Sequence, residues 1–263
     1  MSSIKEKLTN MFSKVMAGTV TREEGTMLIN HLVKEDPAGT VNELAYLVEN
    51  PPPGVFQKTI LHTIALARNK AFFGIMVSCL EHKNEEVSAL AAQELAKLRT
   101  AEARETLTEH LDSESYQVRK ASALAISEGL ADGTEVLKNH ILRSSEPFYR
   151  LTSAQALGRS GKKGVEALLS VMMSGNQGAM STAAEVLVAE AEEVDQSEVS
   201  SVFDALMVAG DRKDSQSIIE LLKVVGALKG KAGGFEGFVL AFADYPSETV
   251  RNEAQNALKM IRS

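Results

Sequence analysis

The sequence predicts an all-α fold, a right-handed α-solenoid of about eight stacked antiparallel helical hairpins. One pattern of apolar and small residues recurs every 31 residues along the middle of the chain. The alternation of apolar and polar residues that marks strands is nearly absent. A unit of this length has room for two helices of about 10 to 14 residues and short turns. A fixed period of this size is typical of stacked repeats.

The repeat is clearest in three segments that begin at Val87, Val118 and Tyr149. We number the positions of each copy from 0 at its first residue. Position 5 is alanine in all three copies, at Ala92, Ala123 and Ala154. Position 8 is apolar in all three, at Leu95, Ile126 and Leu157. Looser copies begin at Phe56, Ala179 and Ser217, and a good copy begins at Val250.

Each copy forms the second helix of a hairpin. At about 100° per residue, positions 0, 4, 7 and 8 share one side of this helix and predict the core. Positions 2, 3, 6 and 10 are expected to face away from it. Adjacent hairpins must pack in two directions, and the small residues allow helices to approach closely.

Capping patterns predict several helix ends. A residue that can cap a helix lies three residues before a glutamate in four pairs, Ser3 with Glu6, Thr21 with Glu24, Thr40 with Glu43 and Asp195 with Glu198. Helices are expected to stop near Gly18, Gly129, Gly161 and Gly210. No linker divides the chain, so residues 1–263 are predicted to be a single domain. Its expected parts are an N-terminal cap (1–50), regular repeats (51–160), divergent repeats (161–235) and a C-terminal capping repeat (236–263).

The composition and charge of the chain disfavour several classes of partner and site. The chain has 35 acidic and 28 basic residues, a net charge of −7, which disfavours nucleic acid as a partner. Cys79 is the single cysteine, so an intramolecular disulfide and a cysteine-based zinc cluster are both excluded. We expect a reducing, cytoplasmic location. The N-terminal segment resembles neither a secretory signal nor a membrane span, and no membrane partner is expected.

The second-helix pattern resembles the HEAT-like repeats, in particular the short class of phycobilisome-lyase proteins with its VRxxAAxALGxIG motif. The pairs Val118-Arg119, Tyr149-Arg150 and Val250-Arg251 match the start of this motif. The rest of the motif is matched by Ala154, Ala156, Leu157, Gly158 and Gly161. Ser88 replaces the motif arginine, so a continuous arginine ladder is not expected. The period is shorter than that of tetratricopeptide repeats, whose tryptophan pattern is also missing.

No residue pattern points to a catalytic, cofactor or metal site. The five histidines share no repeat position, so they are not expected to converge on a metal. The pairs Glu81-His82 and Glu109-His110 have the reverse order of the His-Glu pairs in HEAT-like di-iron hydroxylases. Two segments are rich in glycine and lysine, residues 158–164 and 226–231, and neither has the spacing of a phosphate loop. No GxSxG motif occurs.

The candidate site is therefore a surface. The resemblance implies that second helices line the concave face, where positions 3 and 6 would present a weakly charged stripe. Its members are Thr59, His62, Leu90, Gln93, Ala121, Leu124, Thr152 and Gln155. Exposed leucines at positions 90 and 124 would favour protein contact. Alternatively, these neutral residues let adjacent helices pack without charge repulsion.

We expect a noncatalytic scaffold or adaptor that binds a protein or an extended peptide along its concave face. The resemblance also implies one enzymatic alternative, because some short HEAT-like proteins attach or detach bilin chromophores. A HEAT-like DNA-repair role is disfavoured by the acidic balance and the absence of tryptophan. The sequence leaves the oligomeric state open.

Overall fold

The structure, a computed structural model, describes residues 2–263, and all regular elements in this range are helical. It contains sixteen α-helices. In chain order they are α1 Ile4–Met16, α2 Arg22–Glu35, α3 Pro37–Glu49, α4 Gln57–Leu66, α5 Phe73–Leu80, α6 Glu85–Leu98, α7 Ala101–Glu109, α8 Tyr116–Gly129, α9 Gly133–Arg143, α10 Pro147–Gly158, α11 Lys162–Met172, α12 Gln177–Ala189, α13 Gln196–Asp211, α14 Ser215–Ala227, α15 Glu236–Leu240 and α16 Glu248–Ile261. Short 3₁₀ segments occupy Lys70–Phe72, His110–Asp112 and Lys229–Phe235.

Consecutive helices pair into hairpins, such as α5 with α6 and α9 with α10. Second helices of neighbouring hairpins also pack on each other, as α4 does on α6 and α12 does on α14. The chain forms two compact units, one ending at Ala125 and the other beginning at Ile126. Each unit is a stack of hairpins, which confirms the α-solenoid fold class.

The predicted core positions are buried in nearly every copy. Position 4 is buried throughout, at Ile60, Ala91, Ser122, Ser153, Ala183, Leu221 and Ala254. Position 8 is buried throughout as well, at Ile64, Leu95, Ile126, Leu157, Leu187, Val225 and Leu258. Position 0 has two exceptions, because Phe56 is 61% exposed and Tyr149 is half-buried. For Phe56 the reason is local, since it is the N-cap residue of α4 and precedes its first turn.

Three of the four predicted caps are confirmed. Ser3, Thr21 and Asp195 each form a reciprocal capping box with the glutamate three residues later. The prediction for Thr40 is wrong, because α3 begins earlier. Asp36 caps that helix by accepting a hydrogen bond from the Gly39 amide, and Pro37 fits the first helical position, where no amide hydrogen is needed.

Two glycines bring successive hairpins close together in the second unit. A Cβ atom on Gly164 would lie 1.8 Å from the Leu157 carbonyl oxygen. A Cβ atom on Gly133 would lie 2.0 Å from the Ile126 carbonyl oxygen. Gly133 is the first residue of α9 and Gly164 is the third residue of α11. Both glycines, 31 residues apart, thus lie in the first turn of a first helix that directly follows a second helix. Only glycine allows the incoming helix to start against the carbonyl end of the preceding one.

The final hairpin departs from the regular form. Its first half is the 3₁₀ segment Lys229–Phe235 followed by the five-residue helix α15. Phe203 of α13 stacks on Phe235, with ring centroids 4.1 Å apart and planes inclined by 9°. The Lys231 ammonium donates to the Ala191 and Val194 carbonyl oxygens at 3.1 and 3.0 Å and also to the Glu192 carbonyl oxygen. Aromatic stacking and this lysine hold the glycine-rich segment in place.

Candidate partner-binding surface

The predicted surface residues lie on the second helices of four hairpins. Six of them belong to the first unit, Thr59 and His62 on α4, Leu90 and Gln93 on α6, and Ala121 and Leu124 on α8. Thr152 and Gln155 lie on α10 in the second unit. Position 3 and position 6 differ from each other in their exposure to solvent.

Position 3 does not face outward as expected. Thr59, Ala121 and Thr152 are only 6%, 8% and 4% exposed. In a stack, each second helix has second helices beside it, as α4 has α6 and α10 has α12, so this position is enclosed between helices. The Thr152 hydroxyl, for example, donates to the Phe148 carbonyl oxygen one turn earlier. At position 3, the burial fits the alternative that neutral residues serve helix packing.

Position 6 keeps contact with solvent. Gln93 is exposed, and His62, Leu124 and Gln155 are half-buried. Leu90 at position 3 is half-buried as well, so the two leucines are less exposed than expected. Within the first unit, the accessible members are His62, Leu90, Gln93 and Leu124, which we call the first-unit stripe. Whether these residues contact a partner stays a prediction.

A carboxylate outside the predicted set adjoins the first-unit stripe. Glu94 on α6 is 8% exposed, and its Oε1 atom accepts a hydrogen bond from the Lys97 ammonium at 2.7 Å. The same oxygen lies 3.6 Å from Nδ1 of His62, which belongs to the preceding second helix α4. The first-unit stripe therefore has a carboxylate beside it and is not lined by neutral groups alone. The signal in the sequence is a glutamate at position 7, a position that helical spacing assigns to the core.

The motif arginines have a structural task. The Nη1 atom of Arg150 donates to the carbonyl oxygens of Ser144 and Ser145, both at 2.9 Å. Arg119 makes the same pair of bonds to the carbonyl oxygens five and six residues earlier, at 3.0 and 2.7 Å. Arg251 repeats the pattern at 2.9 and 2.8 Å. Each guanidinium fastens the turn between the two helices of its own hairpin.

In three copies without the arginine, a shorter side chain donates a hydrogen bond to the end of a first helix. Ser88 donates from its hydroxyl to the Leu80 carbonyl oxygen at 2.6 Å. Gln57 donates from Nε2 to the Val48 carbonyl oxygen at 2.9 Å, and Ser217 donates to the Met172 carbonyl oxygen at 2.9 Å. Leu80 and Val48 lie near the end of the first helix of the same hairpin, whereas Met172 ends α11, the first helix of the preceding hairpin. The copies that begin at Phe56 and Val87 therefore keep a hydrogen bond across their own hairpin, and the Ser217 bond joins two successive hairpins.

The histidines stay apart from one another. His82 is buried, and its Nδ1 accepts a hydrogen bond from the Asn84 amide at 3.0 Å. His140 is buried too, with Nδ1 2.9 Å from the Ser153 hydroxyl, and Nδ1 of His110 lies 2.7 Å from the Thr106 carbonyl oxygen. Within residues 2–263, no group of three histidine, cysteine or acidic side chains is arranged to hold a metal ion.

The single thiol is set inside the first unit. Cys79 on α5 is buried, and loss of water contact raises the pKa of its thiol to about 11. The negative charge of Glu49 contributes in the same direction. Such a thiol is protonated near neutral pH and is a poor nucleophile.

The fold and this surface define the class of the protein, an α-solenoid repeat protein. Residues 41–127 match the family model described as HEAT repeats. The matched segment contains α4, α6 and most of α8, where the repeat pattern and the arginine Arg119 occur. This segment of the chain is therefore similar to HEAT repeats. No curated protein matches the sequence.

Three solved structures are similar to this chain at low sequence identity. An engineered protein is 22% identical over 72% of this chain and 96% of its own, with a TM-score of 0.34. Human deoxyhypusine hydroxylase in complex with glycerol is 16% identical over 98% of this chain and 96% of its own, with a TM-score of 0.38. The karyopherin Kap121p bound to the extreme C-terminus of the protein phosphatase Cdc14p is 15% identical over 98% of this chain and 32% of its own, with a TM-score of 0.44. Scores this low carry no conclusion about function.

Of the helices within residues 2–263, none combines the length and the apolar character that a bilayer crossing requires.

Proposed function

We propose that the protein is a noncatalytic interaction scaffold that binds a protein or an extended peptide segment along the first-unit stripe. One observation carries the proposal. His62, Gln93 and Leu124 occupy the same repeat position on successive second helices and keep contact with solvent, while positions 4 and 8 of those helices are core. A regular row of accessible side chains on a rigid stack suits an extended partner.

The chemistry of the first-unit stripe supports a protein partner. Two half-buried leucines, Leu90 and Leu124, alternate with the polar groups of His62 and Gln93. Protein interfaces combine apolar contact area with a few placed hydrogen-bonding groups in this way. The proposed partner is a protein or peptide rather than nucleic acid or a membrane. The proposed location is the cytoplasm.

Peptide selection tests the proposal and needs no identified partner. A random peptide library would be displayed and selected on the immobilised full chain and on a Leu90→Glu, Leu124→Glu double variant. We expect peptides selected on the wild type to lose binding to the double variant by at least about tenfold, because two charges would be placed in the contact area. Circular dichroism would establish that the variant is folded.

A matched control adds the same charge elsewhere on the first unit. Met27 and Phe56 are exposed and lie outside the first-unit stripe. A Met27→Glu, Phe56→Glu double variant should bind the selected peptides as the wild type does. Failure to select any peptide on the wild type, or equal loss in both double variants, would refute binding along this stripe.

A further inference from the structure

Glu94 occupies a position that is otherwise reserved for small or apolar residues. Position 7 is buried in all seven copies. Its other members are Thr63, Ala125, Ala156, Val186, Val224 and Ala257. Removing a carboxylate from water is costly, whereas an alanine at this position has no such cost. Repeat packing alone therefore does not explain a glutamate here.

The partners of Glu94 only partly satisfy its carboxylate. Both the Lys97 ammonium and the His62 ring approach Oε1, and Oε2 has no hydrogen-bond partner among residues 2–263. The side chain of Lys97 is 62% exposed, and an ion pair with so exposed a lysine adds little stability. The carboxylate thus has one oxygen available for a further donor.

A second buried glutamate shows what a satisfied carboxylate looks like in this protein. In the second unit, Oε1 of Glu220 accepts from the Gln216 amide at 3.2 Å and from the Ser181 hydroxyl at 3.4 Å. Its Oε2 accepts from the Lys223 ammonium at 3.0 Å. Both oxygens are used by the fold itself. Glu94 differs in that one oxygen is not.

We infer that Glu94 anchors a lysine or arginine side chain of the partner within the first-unit stripe, an inference that rests on the proposed function. Oε2 would accept from the partner's cationic head group, giving a charge-assisted hydrogen bond in a partly water-excluded setting. Leu90, one turn earlier on α6, would contact the aliphatic stem of that side chain. Lys97 already places an ammonium on Oε1, which shows that the carboxylate accepts a cation of this kind.

The test uses the same random peptide library on the full chain and on a Glu94→Gln variant. Peptides selected on the wild type should be enriched in lysine or arginine relative to the starting library, and the enrichment should be absent on Glu94→Gln. In the tightest wild-type binder, replacing the enriched cation with norleucine should weaken binding about tenfold on the wild type and hardly at all on Glu94→Gln. Glu105→Gln, an exposed residue of α7, removes the same charge and should leave the selection unchanged.

A second variant predicts a change of the opposite sign. Lys97→Met removes the internal cation from Oε1 and should strengthen binding of the lysine- or arginine-containing peptides several-fold, because the Lys97 ammonium no longer repels the partner's cation at the same carboxylate. A purely structural role of Glu94 would not produce this gain. Glu94→Gln should melt at the wild-type temperature or above it, since a buried charge is removed.

The outcomes separate this inference from the proposed function. Selected peptides without cationic enrichment, or with equal affinity for wild type and Glu94→Gln, would overturn the role of Glu94 and leave the stripe as a binding surface. A strongly lowered melting temperature of Glu94→Gln would overturn it as well, by showing that the carboxylate serves the fold. Absence of any selected peptide on the wild type would refute both.

Discussion

The hairpins α9–α10 and α5–α6 fulfil the same structural requirement with different side chains. In the first, Arg150 at position 1 reaches back to two carbonyl oxygens of the turn. In the second, Ser88 at the same position reaches the last carbonyl oxygen of α5. Both donors are buried. The motif arginine therefore stabilises the hairpin through hydrogen bonds to its turn. Where serine replaces it, a shorter side chain still makes one hydrogen bond across the hairpin.

The comparison also separates shared from variable features of a repeat. Both hairpins bury an alanine at position 5, Ala92 in α6 and Ala154 in α10. Of the two hairpins that follow them, only the one after α10 has a glycine, Gly164, in the first turn of its first helix, against a backbone carbonyl oxygen. At the equivalent position after α6, Glu102 is exposed. The buried alanine is thus common to both hairpins, whereas the glycine occurs only where the next helix begins close to the preceding one.

The largest loss of stability is expected from substitutions at position 5, where both hairpins bury an alanine. Ala154→Glu would bury an unpaired carboxylate between helices and should reduce the free energy of unfolding by about 3 to 5 kcal/mol. Ala92→Glu should be about as harmful, because that position is equally enclosed. Thermal and urea unfolding would measure both. Gln155→Glu, half-buried beside Ala154, is the control, and an unchanged stability of Ala154→Glu would show that the repeat register is wrong.

A smaller loss of stability is expected at the junction with the following hairpin, where one hairpin is followed by a close-packed glycine and the other is not. Gly164→Ala places a Cβ atom against the Leu157 carbonyl oxygen, so the backbone must move, at a cost of about 2 kcal/mol or more. Glu102→Ala, at the equivalent position in the other junction, should change stability by less than about 0.5 kcal/mol. Denaturant unfolding of the two variants side by side measures the contrast. Equal losses of stability would contradict the closer helix packing inferred at the Gly164 junction.

The arginine fastener should be worth more than the serine fastener. Arg150→Met keeps the apolar stem and removes the charged donor, and we expect a loss of about 1.5 to 3 kcal/mol. Arg150→Lys should recover part of this, since an ammonium can reach one carbonyl oxygen but lacks the planar fork. Equilibrium unfolding in urea gives both values. A loss as small as that of an exposed arginine such as Arg159 would contradict the fastening role.

The smallest effect concerns Ser88. Ser88→Ala removes one neutral hydrogen bond and should cost about 1 kcal/mol, leaving the Leu80 carbonyl oxygen without this donor. Cys79 lies next to Leu80 on α5 and provides a readout, because its buried, protonated thiol reacts slowly while the hairpin is closed. Thiol labelling near neutral pH should become about fivefold faster in Ser88→Ala. Thr108→Ala removes a neutral hydrogen bond on α7, outside this hairpin, and serves as the comparison. Equal labelling rates in the wild type and Ser88→Ala would contradict a fastening role for the serine.

The sequence by itself determined the fold class and most of the core. Helical spacing fixes which residues share a side of one helix, and a 31-residue period fixes which residues of different copies are equivalent. These two facts were enough to predict the burial of positions 4 and 8 and the alanines Ala92, Ala123 and Ala154. Local hydrogen bonding was enough for three of the four caps, because a capping box needs only four neighbouring residues.

Only the tertiary structure decided what lies between helices. The spacing assigned Thr59, Ala121 and Thr152 to the outside of their own helices, but neighbouring helices cover them. The partial pairing of Glu94 with His62 depends on how α4 and α6 pack, and the reach of Arg150 depends on where its turn folds back. Periodicity describes one helix against its own axis, whereas burial and pairing depend on the distance and angle to the next helix, and these are set by packing.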